Sequence, residues 1–173
     1  SALAAGNTAV LKPSEQAPAV AQLLAEMVPR HFEADVVRVE LGGAETAQAL
    51  LKQPFDHVVF TGGTTIGREV MKAAAEQLIP VTLELGGKSP CIVLDDADLQ
   101  VSARRIAWGR FLNAGQSCVA PDYVLVTPAM RQPLEAALKQ AITEFYGPDP
   151  KQSPDFGRLV STRQFDRVDA LLK

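Results

Sequence analysis

With 173 residues and 47% hydrophobic side chains, the chain is long enough to bury a core and is neither a peptide nor a tail. A formal charge of -3 with no long Lys/Arg run leaves no electrostatic footprint for nucleic acid or an anionic membrane, so neither is expected as a partner. The two cysteines, Cys91 and Cys118, come with no Cys/His cluster at metal-ligand spacing, so neither a disulfide framework nor a metal site is indicated, which fits a reducing, cytoplasmic compartment.

From residue 9 onward, short β-rich runs alternate with longer stretches of helical period. Residues 9–11 read as a strand, after which Val20, Leu23, Leu24, Met27 and Val28 repeat at helical spacing. Val37, Val39 and Leu41 share one face of a second strand, Gly42-Gly43 breaks it, and residues 44–52 read as a short helix. A third unit follows the same plan: strand 57–61, a turn at Gly62-Gly63, then a helix over 65–78 that Pro80 stops. Residues 81–85 make a fourth strand. Strand and helix alternating at this spacing predict an α/β fold, a parallel sheet with right-handed crossovers and helices on its faces.

Beyond Gly86-Gly87, the candidate domain hinge, 91–94 reads as a strand, and Asp95, Asp96 and Asp98 sit where acidic residues favour a helix N-terminus. The helix expected over 98–113 carries a stripe of Leu99, Ala103, Ile106 and Ala107 that Trp108, Phe111 and Leu112 widen, so most of it is expected to be buried. Residues 123–126 read as a strand, and Leu134, Leu138, Ile142 and Phe145 mark another amphipathic helix closed by Gly147-Pro148. A turn-rich connector over 147–157 follows, and from about residue 162 the chain reads as helical. No 18-residue apolar run or signal-peptide pattern occurs, so no membrane segment is expected in this chain; Ser1 in place of an initiator Met raises the expectation that it is cut from something longer.

In open parallel α/β sheets, ligands bind outside the carboxyl ends of the strands, and the unusual residues of this chain collect there. The glycines of Gly62-Gly63-Thr64-Thr65-Ile66-Gly67 let a backbone come close to an anion, and the amides opening the next helix favour negative charge, so a pyrophosphate is the natural guest. The match to the usual dinucleotide fingerprint is loose. A nucleoside-triphosphatase loop is disfavoured, because Arg68-Glu69 replaces its Lys and hydroxyl residue. Lys12 and Glu15 suit the hydroxyls of a ribose; equally, Lys12 reads as a solvated cation and Glu15 as a helix-start residue behind Ser14 as N-cap. Gly42-Gly43 reads first as ordinary turn chemistry. Glu84 alternates with Leu83 and Leu85 and so points to the opposite face, where its carboxylate suits a general base; the alternative is a sheet-end ion pair, with Lys88 as the nearest candidate. Cys118 closes Asn113-Ala114-Gly115-Gln116-Ser117, small turn-forming neighbours able to present a thiol, although a free cysteine is more often a small buried apolar residue. A cysteine hydrolase is weakened because His31, at a helix end, and His57, at a strand start, have no evident partner.

Four blocks together resemble the aldehyde dehydrogenase superfamily, from about Ala5 to the end of the chain. They are Ala5-Gly6-Asn7-Thr8 through Lys12-Pro13-Ser14-Glu15, Phe60 through Gly67, Leu83-Glu84-Leu85-Gly86-Gly87-Lys88-Ser89-Pro90, and Asn113 through Cys118. Arg104-Arg105-Ile106-Ala107-Trp108-Gly109 and Cys118-Val119-Ala120-Pro121-Asp122-Tyr123 are similar to the class 3 branch, whose members oxidise fatty and aromatic aldehydes with NAD or NADP. The resemblance implies a parallel Rossmann-like sheet with flanking helices, residues 1–86 forming part of an NAD(P)-binding domain. It implies that residues 87–173 begin a second α/β domain that bears the thiol. It implies Cys118 as catalytic thiol and Glu84 as the base for the hydrolytic water. Lys12 and Glu15 match the residues that hold the adenosine ribose, and Gly62, Gly63, Thr64 and Gly67, with Gly86, the cofactor-binding turns. Gly63 departs from a common family form with Ser there, which leaves the phosphate grip to backbone amides.

The resemblance also implies an aldehyde substrate, a homo-oligomeric parent and a chain that begins and ends inside a longer enzyme. The upstream Asn that helps hold the oxyanion and the downstream Glu that grips the nicotinamide ribose are not in it. The isolated piece is therefore expected to be inactive or nearly so and prone to association. The competing expectation is an excised nucleotide-fold module with only a binding or structural role.

Overall fold

A computed structural model describes residues 1–173. It is α/β: six short strands and six α-helices, with the strands joined in three two-stranded sheets. The chain divides into two compact units, Ser1–Thr61 with Thr65–Leu83, and Gly62–Thr64 with Glu84–Lys173.

In the first unit, β1 (Ala9–Leu11) lies parallel to β2 (Val37–Val39), and α1 (Pro18–Met27) makes the crossover between them. Pro18 opens α1, where a missing N–H costs nothing because the first-turn amides have no partner inside the helix. Ser14 is not its cap. The Ser14 hydroxyl accepts from Gln16 N in a separate turn, and Ala17 holds the N-cap position. After β2 the chain turns through Gly42, whose φ of 144° is closed to ordinary side chains, into α2 (Ala44–Leu50). β3 (Val58–Thr61) pairs with β4 (Val81–Glu84), and His57 is not partnerless: its Nε2 is hydrogen-bonded to Thr82 Oγ1 on β4 at 2.9 Å.

Between those strands, α3 (Thr64–Ala75) stops three residues short of the expected end, before Pro80 can act. Leu78 takes a left-handed φ of 57°, Leu78 N donates to Ala75 O and Ile79 N to Ala74 O. These two bonds make a Schellman cap with leucine where glycine usually sits.

In the second unit, β5 (Ser89–Val93) lies parallel to β6 (Pro121–Val126), and α4 (Leu99–Phe111) is the crossover. Both strands begin two residues before the expected starts, with a register irregularity between Ser89 and Pro90. The irregularity lets β5 start at residues that include a proline, which has no N–H to give a ladder. Asp98 caps α4 by accepting from Val101 N at 2.9 Å, while Asp95 accepts from Thr127 Oγ1 at 2.5 Å and so serves the start of the next helix, α5 (Pro128–Tyr146), instead.

The core is Val93, Ala103, Ile106 and Ala107 against Leu134, Ala137 and Ala141 of α5 (Pro128–Tyr146), with Cys91 packed on its edge. The expectation of a mostly buried α4 is not met. Only Ala103, Ile106 and Ala107 are buried; Trp108 is 59% exposed, and Leu112 falls beyond the helix, because α5 and β6 cover one side of α4. Phe111, Tyr146 and Phe156 meet edge to face with centroids 5.1–6.1 Å apart, which ties the connector after α5 to the end of α4. α6 (Thr162–Asp169) follows, with Ser161 Oγ accepting from Gln164 N.

Candidate functional site

The site residues fall into two groups. In the first unit, the end of β1 delivers Lys12 to the turn after β2. Lys12 Nζ donates to Gly42 O at 2.8 Å, Pro13 O at 3.0 Å and Glu15 Oε2 at 3.3 Å, so all three ammonium hydrogens have acceptors. The Lys12 side chain is 20% exposed and is no solvated cation, whereas Glu15, at 52%, stands open to solvent. A hydrogen bond from its own backbone N–H, then the Lys12 ammonium, hold the Glu15 carboxyl below the ordinary carboxylate range. The two carbonyl bonds explain why Gly42 matters. A Cβ there would stand 1.9 Å from Thr46 Oγ1, so only glycine lets this turn close under the ammonium.

Gly67 lies buried on α3 in the same unit. Gly62, Gly63 and Thr64 belong to the second unit, where Gly62 N donates to Glu84 O at 3.0 Å. All three are exposed at the start of α3, and a Cβ built on Gly63 meets nothing within 4 Å, so the backbone of this turn is open to a ligand.

Glu84 closes β4 with its side chain exposed. The sheet-end ion pair with Lys88 does not form: Lys88 Nζ goes to Asp122 Oδ2 at 3.3 Å, and Asp122 also faces Arg110 Nη1 at 3.6 Å. Three residues after Glu84, the backbone of Gly87 runs against the thiol residue. A Cβ at Gly87 would lie 2.4 Å from Cys118 O, and Ser89 Oγ donates to that same carbonyl at 3.4 Å. Because three residues span at most about 11 Å, the Glu84 backbone cannot lie farther than that from Gly87. By contrast, Gly86 has open space where its Cβ would be.

Cys118 is exposed, whereas Cys91 packs on the core. The chain reaches Cys118 through an unusual turn: Asn113, Ala114 and Gly115 all adopt left-handed φ, at 54°, 55° and 76°. Consecutive left-handed residues break the helical path after α4, and two of the three are not glycine. Gln116 holds the turn. Its backbone N and its Nε2 both donate to Asn113 O, and Asn113 Nδ2 returns a bond to Gln116 O.

Sequence reasoning named the residues of this motif but missed their supports: Gly87, Ser89 and the 157–160 segment. The Gly86-Gly87 pair was a visible signal for a close backbone approach, and it read as a hinge; nothing local marks Ser89 or residues 157–160, because their partners lie far along the chain.

The whole chain, residues 1–173, matches the model of the aldehyde dehydrogenase family. It is 49% identical over 172 residues to the dimeric NADP-preferring aldehyde dehydrogenase of Canis lupus familiaris, covering 99% of this chain and 38% of that protein. It is 52% identical over 171 residues to aldehyde dehydrogenase family 3 member B1 of Homo sapiens, covering 99% of this chain and 36% of that protein. Among solved structures, the substrate-bound state of Staphylococcus aureus AldH superposes with a TM-score of 0.87 at 47% identity, over 98% of this chain and 37% of that one. The Mycobacterium tuberculosis aldehyde dehydrogenase complexed with NAD+ gives 0.84 at 39% identity, over 98% of this chain and 36% of that one. The chain thus spans under two fifths of the length of these relatives. It belongs to the aldehyde dehydrogenase family.

Proposed function

We propose that the chain is the thiol-bearing part of an NAD(P)-dependent enzyme that oxidises aldehydes to carboxylic acids. The observation that carries this reading is the exposed Cys118 beside the Gly87 backbone, on the stretch that begins with Glu84. The Cys118 sulfur, as thiolate, adds to the aldehyde carbonyl carbon and forms a thiohemiacetal. NAD(P)+, when bound, supplies the acceptor for the hydride lost as that carbon is oxidised to a thioester. Glu84 then takes a proton from water, the hydroxide adds to the thioester carbon, and the acid departs as the thiol is restored. An ordinary thiol, of pKa about 8.5, is only a few per cent ionised at neutral pH, so the anion needs stabilising; backbone amides at 117–119 and a cationic nicotinamide are the candidates.

The residues present fit a dinucleotide. In the second unit, the open backbone over Gly63 with Thr64 at the start of α3 suits a pyrophosphate; in the first unit, taken by itself, the exposed Glu15 carboxylate held by Lys12 suits the hydroxyls of a ribose. Gly67, buried one turn into α3, serves the packing of that helix rather than the open turn, whereas Gly86 leaves its backbone free for close approach. On this division, residues 1–86 serve the cofactor and residues 87–173 the thiol. The NADP preference and dimeric state of the canine relative, and the NAD+ complex of the mycobacterial one, support a cofactor of this class and a homo-oligomeric assembly. A reducing, cytoplasmic setting suits a thiol that must stay reduced.

The test is a pair of substitutions in the complete protein. Cys118→Ser abolishes aldehyde oxidation, whereas Glu84→Gln gives a single burst of reduced cofactor and then stalls with an acyl group on Cys118, read by mass spectrometry. Sustained turnover by Cys118→Ser would end the proposal.

A further inference from the structure

Gln116 makes more long-range hydrogen bonds than the turn around it requires. Beyond its local bonds to Asn113, its Nε2 donates to Arg158 O at 3.1 Å, and its Oε1 accepts from Val160 N at 3.0 Å. Nε2 therefore spends both hydrogens on carbonyls, at Asn113 and Arg158, while Oε1 faces an N–H, which fixes the orientation of the amide. The far side is itself braced. Arg158 donates to Lys151 O and Phe156 O, each at 2.7 Å, and Phe156 is seated against Phe111 and Tyr146. Gly157 lies against the turn, where its Cβ would be 3.5 Å from Ala114 N. A left-handed run containing Asn113 and Ala114 persists only where its surroundings over-determine it, and this carboxamide is the one side chain that joins the run to a braced segment.

We infer that Gln116 is a positioning residue for Cys118: its carboxamide locks the left-handed turn at 113–115 onto residues 158–160 and thereby fixes where the thiol emerges. Ser89, through the Cys118 carbonyl, holds the other end. The inference rests on Cys118 being the nucleophile. The reacting sulfur must meet a carbonyl carbon within a few tenths of an ångström, and a misplacement of about 1 Å costs on the order of 10²-fold in rate.

The experiment uses the complete protein with Gln116→Met, which keeps length and loses every polar bond, and Gln116→Glu, which keeps the acceptor for Val160 N and sets a carboxylate against two carbonyls. For Gln116→Met, kcat with an aliphatic aldehyde falls about 10- to 100-fold while the KM for NAD(P) stays within about twofold. For Gln116→Glu, the ratio of its kcat to that of the parent rises as pH is lowered, because the protonated acid regains one donor. If Gln116→Met does not fold, the Gln116→Glu profile alone decides, and a pH-independent ratio overturns the inference. A kcat for Gln116→Met within about threefold of the parent also overturns it, as does a fall in kcat matched by equal loss of cofactor binding. Cys118→Ser in the same assay separates the two ideas: turnover there removes the thiol reading itself, whereas loss there with an undisturbed Gln116→Met removes the positioning role alone.

Discussion

At Gly87 the absence of a side chain is a distance requirement. A methyl group there would sit 2.4 Å from Cys118 O, closer than real Cβ atoms come, and the atom it meets is backbone and cannot rotate away. Gly87→Ala should therefore displace the 86–88 or 117–119 backbone, costing about 1–3 kcal/mol of stability as overpacking does. If Cys118 is the nucleophile as proposed, the substitution should also slow acyl-enzyme formation there; denaturant melts and single-turnover kinetics read the two effects. The Lys12–Glu15 pair makes a prediction of a different kind. Its carboxyl is held below the ordinary range in the folded chain, so the contribution to stability is full above the ordinary Glu value and is lost as pH falls through the lower, folded value. Glu15 is more than half exposed, so solvent screens the pair and the effect on overall stability is small. A carbon-detected NMR titration should place the Glu15 midpoint below that of an ordinary Glu, and Lys12→Met should move it upward. The Gly87 contact could not be read from residue type alone: the Gly86-Gly87 pair announced a turn, but only the fold assigns the tight approach to its second member.

The helices and strands were legible as periods and less so at their ends. Each expected strand and helix has a counterpart, because apolar spacing is dictated by the face that must be buried. The ends depend on individual backbone bonds. α3 closes with Leu78 at the left-handed position, where a side chain 91% exposed gains nothing from packing, and left-handed φ costs a β-carbon residue about 1–2 kcal/mol. Leu78→Gly should thus stabilise the first unit by about 0.5–1 kcal/mol after the greater freedom of glycine in the unfolded chain is subtracted, a rise that thermal melts resolve. The turn after α4 shows the opposite economy: Asn113 and Ala114 carry the same kind of strain, and there the polar bonds of Gln116 hold it in place. The start of β5 at Ser89 escaped sequence reading because Pro90 reads as a breaker, and the register irregularity beside it removes the conflict.

For the molecule as a whole, the candidate residues were legible and the framework that aims them was not, since Gln116 meets residues 158–160 across more than forty positions of sequence. The chain also leaves sheet faces open: Val59 of β3, Ile92 of β5 and Leu125 of β6 are all at least half exposed. Apolar strand faces without cover associate, so the 173-residue chain expressed alone should form higher-order species in sedimentation velocity and should bind a hydrophobic dye such as ANS. A monodisperse monomer without dye binding would contradict this. The two cysteines, one exposed and one packed on the core, turn the molecule into its own clock. A maleimide fluorophore should couple to the exposed Cys118 before the partly buried Cys91, and the ratio of the two rates, read by mass spectrometry, reports how far the packing around β5 shields the second thiol.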